Sequence, residues 1–214
     1  VKSKNARSAA GNDGLRFSHL QCILNTSAAK EGFGPVVGSF WQRSMEQPDA
    51  FPPEFWEVFL QSNLTALGEK CRPIFVGSMM RRSLAAGVVR SYRPKLEKVK
   101  LSERQYGVAV SGGAELMGLR AKAHHRLGHW LIALDSTNAF NSIKRAAILK
   151  EVAIRTPGLT PFVAECYGEK PADIIFQIDT GERRKLSSNT GIHQGDGLGP
   201  ALFCMPVGPI LRKC

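Results

Sequence analysis

Apolar positions along the chain switch between a helical and an alternating period, and each switch marks the edge of an element. SMMRRSLAAGVVRSY carries Met80, Leu84, Val88 and Tyr92 at four-residue steps, which predicts a helix with one apolar face and an arginine-bearing face opposite. QYGVAVSGGAELMGLRAKAHHR predicts a loop, a serine cap at Ser111, and a helix to about His125 that turns Leu116, Leu119 and Ala123 to a core. WLIAL is short, continuous and apolar and ends in Asp135, the pattern of a buried strand delivering a carboxylate at its end. A single helix is expected over 139–155, with Phe140, Ile143, Ala147 and Val152 inward, Lys144, Arg145, Lys150 and Glu151 outward, and Pro157-Gly158 closing it.

Turn residues place the rest. LTALGEKCRPIFVG flanks Gly68, Glu69 and Lys70 with apolar runs, and ADIIFQIDTGERRKLSSNTG turns at 179–181; both read as hairpins. A turn at GNDG precedes two helices interrupted by GFGP at 32–35, and short helices are expected from Trp56 and near 162–167. A last helix opens at about Pro200, with Pro206 and Pro209 kinking or ending it. Helices mixed with hairpins define an α+β class.

Composition narrows the setting. The 214 residues are 43% hydrophobic and 22% charged, a folded composition sized for one domain or two closely packed subdomains. No apolar run approaches the roughly 18 residues of a membrane span, and VKSKNARSAAGNDG lacks a signal-peptide core. An intracellular location, nuclear or cytoplasmic and not secreted, is therefore expected, with no membrane partner. The cysteines Cys22, Cys71, Cys166, Cys204 and Cys214 form no CxxC pair and read as reduced thiols. Without secretion, the glycosylation patterns at Asn25 and Asn63 are chance matches.

Charge points to a polyanion. Lys and Arg number 29 against 18 Asp and Glu, a net charge of +11, and each phosphate neutralised by such a surface releases counterions. Arg81, Arg82, Arg90, Arg93, Lys95, Lys98, Lys100 and Arg104 are opposed within their stretch only by Glu97 and Glu103.

Two segments carry candidate chemistry. In LIALDSTNAFNSI, Asp135 at a strand end is suited to Mg²⁺, a hard cation that takes oxygen ligands. The amides of Asn138 and Ala139, at the start of the next helix, are suited to phosphate, and Phe140 to the sugar beside it. In GIHQGDGLGP, glycines permit close backbone approach while Gln194 offers a donor and an acceptor. The loop does not fit GxxxxGK[ST], so a P-loop is unsupported. His125 and His129 stand four apart beside His124 but lack further ligands at zinc spacing.

Taken together, the blocks resemble the fingers and palm of a reverse transcriptase of the non-LTR retrotransposon and group II intron type. GNDGLRFSHL, ALGEKCRPIFVGSMMRR and QYGVAVSGGAELM resemble successive finger blocks. LDSTNAFNSIKR and GIHQGDGLGPALF resemble the first palm motif and the QGDPLGP motif. The resemblance implies fingers over 1–127 and a partial palm with an inserted finger hairpin over 128–214, with mixed helices around a small antiparallel sheet. It makes Asp135 a catalytic residue and ligand of two Mg²⁺ ions, with the Ser136 carbonyl touching one. Phe140 becomes the gate against a ribose 2′-hydroxyl, and Gln194 and Gly195 contact the incoming nucleotide and templating pair. Arg72, with Lys70, reaches the triphosphate, and Asp196 is structural. The implied partners are an RNA template, a DNA primer and deoxynucleoside triphosphates.

Two departures qualify that expectation. Gly197 stands where the family has proline, and neither the F/YxDD motif nor a thumb occurs in these residues. With Val1 in place of an initiating methionine, the expectation is a fragment of a polymerase, inactive alone. The alternative is a non-catalytic nucleic-acid-binding or interaction protein derived from a decayed reverse transcriptase.

Overall fold

The computed structural model describes residues 9–27, 29–69, 71–103, 105–170, 172–178 and 180–211; Lys70, Arg104, Asp179 and Cys214 lie outside them, as do the side chains of Lys98 and Lys100. The described chain is α+β. It begins with helix α1 (Phe17–Leu24), a π-turn (Ala29–Phe33), α2 (Gly34–Glu46) and α3 (Pro53–Leu60). Strands β1 (Ser62–Leu67) and β2 (Arg72–Gly77) follow, then the long α4 (Met79–Glu103) and α5 (Gly113–Arg126). The second part contains α6 (Ala139–Ser142), α7 (Arg145–Arg155), α8 (Thr160–Tyr167), β3 (Ala172–Gln177), β4 (Arg183–Ser188) and α9 (Gly199–Leu211).

Among the described residues four strands form one sheet in the order β2-β1-β3-β4. Both expected hairpins are present, β1 with β2 from Ser62↔Gly77 to Leu67↔Arg72, and β3 with β4 from Ala172↔Ser188 to Gln177↔Arg183. The sheet is nevertheless mixed and not antiparallel throughout, because the hairpins join through a short parallel contact at Ser62↔Ile174 and Asn63↔Ile175. A parallel pair needs a long crossover, and the chain from α4 to α8 supplies it.

The main core is built from α3, α4, α7, α8 and α9. Trp56 and Phe59 of α3, Leu84 and Val88 of α4, Ile148 and Val152 of α7, and Phe162 and Tyr167 of α8 close around Leu202 and Met205 of α9. It draws on residues from both sides of position 127. Burying each large apolar side chain contributes about 1.5–3 kcal/mol.

Several elements depart from the sequence pattern. The 129–136 stretch forms no strand, and Trp130, Ile132 and Leu134 are 96, 83 and 88% exposed. A strand needs a hydrogen-bonded neighbour, and the sheet ends elsewhere, at β4 and β2. The residue that precedes helix α5, Gly112, is left-handed (φ 61°), and no side chain caps the helix, so Ser111 does not cap it. Leu116, Leu119 and Ala123 are exposed, not turned to a core. The expected 139–155 helix breaks at Ile143 (ψ 135°), whose carbonyl accepts the Gly191 amide at 3.1 Å, so a tertiary bond replaces a helical one. Pro206 and Pro209 stay inside α9, which runs on to Leu211. An interior proline costs about 3 kcal/mol, and the burial of Leu202, Met205 and Gly208 offsets it. No helix among the described residues is long and apolar enough to cross a membrane.

Candidate functional site

The glycine loop between β4 and α9 is wedged between the first hairpin and the α6 turn. At its entry Gly191 (φ 67°) lies so close to Asn141 that a Cβ would stand 2.4 Å from the Asn141 carbonyl group. The Ile192 amide donates to the Phe140 carbonyl at 2.7 Å. His193 stacks on Phe75 at 4.6 Å between ring centres. The Gln194 carbonyl accepts the Phe75 amide at 2.7 Å, on the edge of β2 that β1 leaves free. Gly195 (φ 110°) follows with no space for a side chain, since a Cβ would be 2.5 Å from the Phe75 carbonyl oxygen. Glycine is required there for both conformation and clearance.

The N-terminal turn joins the same junction. A Cβ on Gly11 would be 2.3 Å from the Gly77 oxygen. Asp13 accepts the Met79 amide at 2.7 Å, satisfying one of the orphan donors that open α4.

Beneath the loop lies a buried ionic network. Arg81 and Asp196 pair at 2.8 Å with 5% of each side chain exposed. The Tyr167 hydroxyl donates to the same carboxylate at 2.5 Å, the Leu198 amide donates to its other oxygen at 2.9 Å, and Arg81 donates to the Leu60 carbonyl at 2.9 Å. Burial pushes the Asp196 carboxyl up, but Arg81, the Tyr167 hydroxyl and the Leu198 amide outweigh it and hold the pKa below the usual range. Burial likewise opposes the Arg81 cation, and Asp196 reverses the balance to leave its pKa raised. The Tyr167 phenol is raised, first by burial and then by Asp196.

Arg145 forms a second arm. It donates to the Gly191 carbonyl at 3.1 Å and the Ser188 hydroxyl at 2.9 Å, and its guanidinium lies over the Tyr167 ring at 5.6 Å. His193 meets the same hydroxyl at 2.9 Å. Burial, then Arg81, lowers the His193 pKa well below its ordinary value, so the ring is neutral.

Arg81 and Arg145 were both expected to face solvent and are instead 4 and 8% exposed. Their spacing held the signal: Arg81 leads Leu84, Ala85 and Val88, and Arg145 leads Ile148 and Val152, at the three-, four- and seven-residue intervals of one helical face. Charge type concealed it.

Other anticipated residues are placed unevenly. Phe140 is half-buried and stacks on Phe203 at 5.0 Å, 13° from parallel. Gln194 and Gly195 stand beside β2, whose first residue, Arg72, is exposed. Asn138 is left-handed (φ 50°) and its carbonyl accepts the Ser142 amide at 3.0 Å. Asn138 and Ala139 open a helix of only four residues, too short for the phosphate-binding helix start expected of them. Asp135 and Ser136 are exposed on the irregular segment upstream. Fold and loop therefore unite Phe140, Gln194, Gly195 and the strand of Arg72 without enclosing Asp135.

A lone exposed carboxylate does not make a metal site, and no group of three or more His, Cys, Asp or Glu among the described residues is placed to hold one. Asp135 and Ser136 alone do not fit a Mg²⁺ pair. His124 and His129 approach at 2.9 Å on the surface. No protein-family model matches this chain, and no curated protein matches it significantly.

Proposed function

We propose that these residues are the fingers and part of the palm of an RNA-directed DNA polymerase of the non-LTR retrotransposon and group II intron type. The observation that supports the reading is convergence: GIHQGDGLGP packs against both RPIFVG and the turn at Phe140, and GNDG packs on the Gly77–Met79 end of the same hairpin, though these segments are far apart in sequence. In this reading Arg72 and Lys70 reach a triphosphate, Gln194 and Gly195 face the incoming deoxynucleotide, and Phe140 limits space at the sugar. Asp135 and Ser136 belong to the Mg²⁺ side of the family's site. That side is incomplete here, so template binding, and no chemical step, is assigned to these residues by themselves. The exposed, solitary Asp135 favours a second reading, a non-catalytic nucleic-acid-binding protein of the same descent.

A primed RNA template labelled with a photoactivatable uracil tests the reading. We expect binding that weakens steeply as salt rises, as phosphate contacts require, and cross-links in 72–77 and 191–197. No binding at low salt, or cross-links confined elsewhere, overturns both readings. Primer extension with Mg²⁺ and deoxynucleotides is expected to be absent; extension abolished by Asp135→Ala would refute that incompleteness.

A further inference from the structure

A cleft of about 660 Å³ opens on the far side of α4 from the core, bounded by α1, α2 and the 109–111 loop. Small-molecule sites commonly measure about 300–1,000 Å³. Its walls combine two aromatic rings with small and aliphatic residues. Phe17 and Trp41 line it, and the edge of the Trp41 ring lies 3.9 Å from where a Gly87 Cβ would stand, so glycine keeps that stretch of the α4 wall free of a side chain. Arg90 and Arg93, both exposed, give the mouth its charge, and no described acidic residue lines the cleft. Ser111 adds a hydroxyl. The 109–111 wall is held in an unusual shape, since Ala109 is left-handed at φ 56°.

An aromatic wall attracts a planar ring, and arginine pairs with phosphate through its planar fork of donors. We propose that this cleft binds a nucleotide, its base against Trp41 and its phosphate at Arg90. The ligand is a nucleoside monophosphate, either free or as one unit of an RNA strand. The site stands whether or not the chain is a polymerase, because it shares only Gly197 with the Gln194 loop.

Trp41 supplies the readout. In a Trp130→Phe background, which removes an indole that is 96% exposed, AMP should quench tryptophan fluorescence saturably. Arg90→Gln should weaken AMP about tenfold, the scale of one charge-assisted contact, while leaving adenosine unchanged. Ala86→Leu, on the cleft wall, should weaken both, with circular dichroism and melting temperature unchanged. Oligoadenylate binding tighter than AMP identifies a strand unit, and equal binding identifies a free nucleotide; either result sustains the site. No saturable AMP binding by about 5 mM, inorganic phosphate binding as well as AMP, or AMP binding insensitive to both variants overturns it.

Discussion

Asp196 keeps its charge where water scarcely reaches because three donors, from Arg81, Tyr167 and Leu198, surround its two oxygens. Removing two ions from water is costly, so such a pair adds modest net stability, but breaking one strands the other charge. Asp196→Ala should therefore lower the unfolding free energy by about 3–5 kcal/mol in urea titrations. Arg81→Met in that background should recover part of the loss, because it removes the stranded cation. His193, held neutral where Asp196 is held charged, has a linkage of the same sign, because both folded pKa values are depressed. Its folded pKa is depressed, so below an unfolded value of about 6.5 the unfolded chain takes up the proton first. Stability should fall as pH drops from about 6.5 to 5, by up to about 1.4 kcal/mol per unit. His193→Gln should flatten that slope, and an unchanged slope would refute the assignment.

At the scale of elements, the hairpins and helices that pack are those whose pattern was met by a partner. β1 with β2, and β3 with β4, follow from alternating residues around turn formers, a purely local code. α5 and the 129–136 stretch follow an equally plausible pattern yet cover nothing: Leu119 is 65% exposed and Leu127 73%. Few buried contacts mean low local stability. Amides over 113–135 should exchange with deuterium well before those of α7, α8 and α9, and equal protection would show that this arm is covered in solution. The α6–α7 break was illegible locally, since the Gly191 amide that holds Ile143 open comes from 48 residues downstream.

At the scale of the molecule, a net charge of +11 belongs to the chain as a whole and is the basis of the expected salt-dependent RNA binding, not of the fold. The basic stretch does not act as one surface, because Arg81 is spent inside the core while Arg90 and Arg93 remain outside. The sequence by itself determined the α+β class, the hairpins, the glycine loop and the net positive charge. Each rests on residue type and spacing within a short window. Only the tertiary structure decided that the sheet is mixed, that two arginines lie beneath the Gln194 loop, and that Asp135 stands in the open. Those outcomes depend on which distant segment supplies a hydrogen bond or a countercharge, and a local pattern does not specify that neighbour.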